Sequence, residues 1–277
     1  MRKWIIWGIL TVLALVVWIP LWMLVSGSMT GQGELAGNLA GLWDHGFVSW
    51  NALPQGITLQ AYLELLLDTP EFFVMFWNAC GQVFPILAGQ ILIGAPAAWA
   101  FAKFDFPGKK ALFAGYMILM LLPFQVTMVS SYLVLDQLGL MNTVLAIILP
   151  GAVSTFPVFL MTRFFSAIPN ALTEAAALDG AAPLQIFLHL GLPLGAPGIL
   201  SAVVLGFIEY WNALEQPLTF LEDKTLWPIS LYLPTVTAEN AGVSLAASVL
   251  MLIPALLIFL FGQKYLEAGI AASGFKD

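Results

Sequence analysis

The sequence predicts an all-α, polytopic membrane protein with six transmembrane helices, and three observations predict it. The chain is 60% hydrophobic and only 9% charged, with a mean hydropathy of +0.92. Soluble domains are about 25% charged, so so much apolar surface needs the bilayer as its solvent. Six stretches are apolar over the roughly 20 residues that cross a hydrocarbon layer: 4–25, 72–101, 111–134, 143–165, 196–214 and 243–261. Finally, if six helices alternate across the membrane, all but Lys224 of the 9 Lys and Arg fall on one side.

The first stretch follows Met1, Arg2 and Lys3, like a signal peptide. Its apolar run is too long for one and no small-x-small site follows promptly, so it is expected to remain as an anchor. Several stretches contain proline: Pro20, Pro85, Pro96, Pro123 and Pro254. In a membrane bundle, neighbouring helices and side chains can satisfy the carbonyls that proline frees. A transmembrane barrel would alternate apolar and polar residues, and these runs are continuous. With a single cysteine, Cys80, no internal disulfide forms.

Basic residues stay cytoplasmic. Arg2, Lys3, Lys103, Lys109, Lys110, Arg163, Lys264 and Lys276 therefore place both termini in the cytoplasm. The opposite side is acidic, with Glu34, Asp44, Glu64, Asp68, Glu71, Asp136, Glu222, Asp223 and Glu239. That is either a solvated outer surface or a field that repels anionic solutes and favours a neutral cargo.

The whole chain, 1–277, reads as one transmembrane domain. Its longest outer segment, 26–71, is Gly-rich early and a short amphipathic helix over 58–67; Trp43 and Trp50 suit the membrane interface. The inner turn 103–110 is a Pro-Gly hairpin.

The informative segment is the inner loop 166–195. About 30 residues of helical composition are more than a chain reversal needs. Asn170 is expected to N-cap a helix, Gly180 to break or cap it, Pro183 to open a second short helix and Pro193 to end that one. In the first helix Leu172, Ala175, Ala176 and Asp179 share a face and Glu174 lies opposite. Such a face could pack on the chain's own spans or dock into a partner's groove.

This loop resembles the EAA motif of ABC importer permeases, with Glu174, Ala175 and Ala176, then Asp179, Gly180 and Ala181, then Leu190, Gly191, Leu192 and Pro193; Leu190 replaces the commoner Ile. The resemblance runs from about Phe76 to Asp277 and points to the carbohydrate-uptake branch, the six-helix subunit type of the maltose-system permease. Phe76-Trp77-Asn78, Phe106 to Lys110, Ile168-Pro169, Tyr210-Trp211-Asn212, Gln263-Lys264-Tyr265, Gly269 and Gly274 carry it. It implies the type I (MetI-like) permease fold in the bacterial inner membrane, and a protein that is not itself an enzyme. It also implies a second permease subunit, a cytoplasmic ABC ATPase dimer docked on Glu174, Ala175, Ala176, Asp179, Gly180, Ala181, Leu190 and Pro193, an extracytoplasmic solute-binding protein, and a sugar or oligosaccharide cargo. The outer segment 215–240, with Pro217, Pro228 and Pro234, resembles the one that faces the binding protein.

No Gly-x-x-x-x-Gly-Lys-Ser/Thr run occurs, so ATP and Mg are expected on the partner ATPase and no cofactor on this chain. Uncharged hydrogen-bonding groups within spans usually face a bundle interior. Asn78, Gln82, Gln125, Tyr210, Trp211 and Asn212 are thus candidates for the translocation pathway, with helix–helix bonding as the alternative; Gln90 is similar, and Glu209 is placed near the outer boundary. A secondary transporter would carry ion-coupling charges inside its spans and would leave the loop unexplained. A membrane enzyme would have only His45 and His189 to draw on. A polyol or glycerol-phosphate-like ester remains an alternative cargo.

Overall fold

In a computed structural model, residues 2–43, 51, 53–232 and 240–273 are described. Asp44, His45, Trp50, Pro234, Glu239, Gly274 and Lys276, all considered above, lie outside them. The described residues form helices α1 (Arg2–Ser28), α2 (Gln32–Trp43), α3 (Gln60–Asp68), α4 (Pro70–Gly89), α5 (Ala95–Lys103), α6 (Lys109–Leu121), α7 (Phe124–Gln137), α8 (Leu145–Ala152), α9 (Thr155–Ala167), α10 (Asn170–Leu178), α11 (Pro183–Ile186), α12 (Leu192–Trp211), α13 (Glu215–Phe220) and α14 (Ala241–Ser273). The one β-type pairing described among them is a backbone bridge between Thr30 and Ile57.

Five helical segments are long and apolar enough to cross a membrane: Ile6–Ser28, Pro70–Lys103, Leu145–Ala167, Pro183–Trp211 and Ala241–Glu267. The sixth expected span, 111–134, is not one straight helix. It is α6 and α7, bent by 107° at Leu122 and Pro123. The residue before a proline is pushed out of the helical region, and Leu122 sits at φ −76°, ψ 123°. Pro123 then starts α7 instead of lying within a span.

The described chain separates into two compact units. The first comprises Met1–Val74 and Tyr232–Pro254. Here the described residues of segment 26–71 are folded. Leu35 of α2 and Leu65 of α3 are 1% and 0% exposed. Thr58 N–H donates to Met29 O (2.9 Å), the Ser28 and Tyr62 hydroxyls share a 2.7 Å bond, and Gln32 Nε2 donates to Glu64 (3.1 Å). The amphipathic helix read over 58–67 is α3, with Ala61 and Leu65 on its buried side. The Gly-rich run before it folds as α2. A helical glycine costs only about 1 kcal/mol relative to alanine, and burial of Leu35 offsets that.

The second unit comprises Met75–Leu231 and Ala255–Asp277. Its core gathers α5, α9 and the start of α12 around three rings. Trp99 meets Phe165 edge-on at 5.4 Å and Phe187 at 5.8 Å. Ala98, Leu160, Met161 and Ile168 complete this buried cluster. Glycine lets α12 approach α9: a Cβ on Gly195 would stand 2.1 Å from the Phe165 ring. Membrane helices that gain little from apolar transfer depend on such close packing.

Candidate coupling loop and polar groups of the spans

The loop 166–195 is built as two arms on the aromatic cluster. Ile168, extended at ψ 125° ahead of Pro169, ends α9. The expected Asn170 N-cap is not formed. Pro169 holds that position, and Asn170 is the first helical residue, its Oδ1 accepting a 2.9 Å bond from Lys103 Nζ. Lys103 Nζ donates to Ile168 O as well.

The first arm, α10, stops as its sequence dictates. Gly180 takes φ +84°, its N–H donates to Ala177 O (3.0 Å), and Ala181 N–H reaches back to Ala176 O (3.0 Å). This is a Schellman closure, and its left-handed position favours a residue without a Cβ. Ala182 is extended and Pro183 opens α11; Gln185 Oε1 accepts from Ala182 N–H (2.8 Å), satisfying one orphan donor of the new helix.

The second arm does not end at Pro193. α11 passes through a π-helical turn, Phe187–Gly191, into α12 and on to Trp211, so arm and fifth span form one continuous segment from Pro183. Proline lacks an N–H and its ring crowds the carbonyl four residues back. The wider turn absorbs this, with Leu192 N–H bonding Phe187 O. Gly191 in that turn lies against the Trp99 ring, 2.9 Å from where a Cβ would stand.

Of the face expected on the first arm, only Ala176 packs partly on the core cluster, together with Ala181 and Leu190. Leu172, Ala175 and Asp179 are exposed, as is Glu174. The arms also present Leu178, 90% exposed, and Leu184, 65% exposed. Sequence reasoning passed over both leucines because they lie off the small-residue stripe, and it passed over Lys103 and Trp99 because they lie in a different span.

The structure distributes the six pathway candidates over three kinds of environment. Asn78 Nδ2 donates to Thr225 O (2.6 Å) and Trp227 O (3.1 Å), and Gln82 Nε2 to Leu226 O (2.9 Å). Both amides thereby fasten the segment that follows α13. Trp211, 4% exposed, stacks on Phe207 at 5.3 Å and meets Phe76 edge-on. Tyr210 and Asn212, with Phe124, Glu209, Glu215 and Gln216, line an open pocket of about 320 Å³. Gln125 Nε2 bonds Glu215 Oε1 at 2.5 Å, whereas Asn212 Nδ2 donates back to its own helix at Ile208 O (2.8 Å). Gln90 is 3% exposed and its Nε2 donates to Gly151 O (3.0 Å).

The segment after α13 has a further clamp that sequence reasoning missed. Asn142, at φ 57°, accepts on its Oδ1 the N–H groups of Glu222 (2.9 Å) and Asp223 (2.8 Å). The Thr225 N–H and hydroxyl donate to Asp223 and hold its carboxyl below the usual carboxylate range.

Helices long and apolar enough to cross a membrane, joined by a folded two-armed loop, define a multi-pass membrane protein. Residues 90–272 match the family model described as "Binding-protein-dependent transport system inner membrane component". The arabinooligosaccharides transport system permease protein AraQ of Halalkalibacterium halodurans is 27% identical, over 80% of this chain and 81% of that protein. The diacetylchitobiose uptake system permease protein DasC of Streptomyces coelicolor is 29% identical over 80% and 82%. Among solved structures, a chain of a bacterial ABC transporter that imports the acidic polysaccharide alginate superposes with a TM-score of 0.79 at 24% identity, over 96% of this chain and 98% of that one. The chain belongs to the binding-protein-dependent transport system inner membrane components. It is a transport subunit of the inner membrane that works with a solute-binding protein.

Proposed function

We propose that this chain is one of two permease subunits of an ATP-driven importer of a sugar or oligosaccharide. Its loop 166–195 and both termini are cytoplasmic, and the loop docks on a separate ATPase that binds ATP and Mg. The carrying observation is the two-armed loop, folded around Gly180 and seated on the Trp99 cluster while Leu172, Leu178 and Leu184 stay exposed. Exposed leucines on a folded loop between two spans fit a docking surface. ATP-driven closure moves the arms as a rigid lever, and the spans rock between inward-open and outward-open states. Relatives named for arabinooligosaccharides and diacetylchitobiose support a saccharide cargo.

Along the pathway, Tyr210, Asn212 and Gln125 sit in or beside the pocket behind the Pro123 break and face the solute, supplying hydrogen bonds and a ring. Asn78, Gln82 and Trp211 hold the walls. The test is to tag the chain in its native host, solubilise it gently and identify by mass spectrometry what co-purifies. An ATPase with a P-loop and a second permease are expected. Repeated recovery of the chain alone, under conditions that preserve other complexes, would sink the reading.

A further inference from the structure

We propose that α5 is a transmission element: Lys103 and Trp99, gripping opposite arms of the coupling loop, carry its motion into the second span. The loop is covalently joined to α9 and α12, so those spans must follow it. The second span is remote in sequence, yet it holds the loop at two points. Lys103 Nζ donates to Ile168 O and to Asn170 Oδ1 (2.9 Å), where the first arm begins. Trp99, one turn earlier, packs on Gly191 and lies 5.8 Å from Phe187, on the π-helical turn of the second arm. Residues four apart share a helix face, so one face of α5 touches both arms.

The two contacts are chemically different, and each suits its place. The aromatic contact is rigid. Trp99 packs on Phe165 and Phe187, which also meet each other, and Gly191 leaves room for its ring and no more. Displacing the second arm must therefore push α5, because close-packed interiors shift between discrete arrangements and do not deform smoothly. The lysine contact is adaptable. An ammonium on a four-carbon stem can hold a carbonyl and an amide oxygen while the angle between them changes. Gly180, at φ +84°, stands between the arms. α5 thus grips either side of the elbow.

The inference rests on the importer reading above. The test uses the assembled complex in nanodiscs and follows the alkylation rate of Cys80, a half-buried thiol of the same span, by N-ethylmaleimide, read on its peptide by mass spectrometry. Rates are compared without nucleotide and after ATP–vanadate trapping, and trapped nucleotide is quantified in parallel. The wild-type rate is expected to change on trapping. Lys103→Met should shrink that ratio by about threefold or more with assembly and trapped nucleotide unchanged, while Lys103→Arg preserves it. Asn170→Ala, which alters only the loop side, should shift the ratio in the same direction, and it decides the matter if Lys103→Met does not assemble. Variant complexes that trap nucleotide and keep the wild-type ratio overturn the proposal. So does a wild-type complex that traps nucleotide without any change at Cys80. A wild-type preparation that traps no nucleotide counts against the importer reading itself.

Discussion

Single residues decide how the segment after α13 is held. Asn142 adopts a left-handed backbone, tolerable for asparagine, and its side chain accepts two backbone N–H groups at 2.9 and 2.8 Å. Asn142→Ala removes both acceptor contacts and strains the turn, a loss of about 1–3 kcal/mol. The expected outcome is loss of hydrogen-exchange protection at the amides of Glu222 and Asp223, with the membrane-crossing helices unaffected. Wild-type protection at those amides would exclude the clamp. Little of this was legible in advance. A lone asparagine in a loop carries no periodicity, and its acceptors' partners lie 80 residues on. The same distance hid the roles of Asn78 and Gln82. Composition marked them as polar groups in apolar spans, but only the folded chain shows that their donors are spent on the backbone carbonyls of Thr225, Leu226 and Trp227.

At the scale of elements, proline and glycine positions were readable and their consequences only partly so. Gly180 was legible because a helix that runs into Asp-Gly commonly ends in a left-handed residue. Pro183 was legible because proline suits a first turn. Pro193 misled, since a proline after a short helix reads as a stop; the π-helical turn Phe187–Gly191 lets the chain pass it and join the arm to the fifth span. Pro123 misled in the other direction: hydropathy over 111–134 is continuous, while the backbone turns by 107°. Periodicity records which residues are apolar and is silent about a local change of direction. Gly180 yields a direct prediction. Nothing in this chain stands within 4 Å of a Cβ built there, so within the subunit the effect of substitution is conformational. Gly180→Val should cost about 1–2 kcal/mol in the left-handed position and change the angle between the arms. Membrane insertion should be normal and ATP hydrolysis should persist while uptake falls. Normal uptake would show that the elbow angle is immaterial.

For the whole molecule, fold class and membrane character came from the coarsest features, because a bilayer imposes length and apolarity on every crossing segment. The coupling loop came from a short ordered motif. The pocket beside Tyr210 and Asn212 did not come at all as a place: Phe124, Glu209 and Glu215 are brought together only by the break at Pro123 and the turn into α13. The one-sided distribution of basic residues makes a prediction at this scale. A C-terminal tag should be cleaved by protease in inverted membrane vesicles and protected in spheroplasts. Lys224, whose ammonium lies over the Trp227 ring at 5.4 Å, should be modified from outside by a membrane-impermeant amine reagent. Cleavage of the tag in spheroplasts would reverse the topology.

Leu178 has a consequence for the life of the subunit in the cell. With 90% of its surface open, it leaves a bare greasy knob on any copy that has been inserted but not yet assembled. Membrane proteases and chaperones survey such surfaces, and a protein's abundance follows how often it presents them. If the proposed docking holds, synthesis of this chain in excess of its partner should shorten its half-life in a pulse-chase, and Leu178→Ser should lengthen that of the unassembled copy.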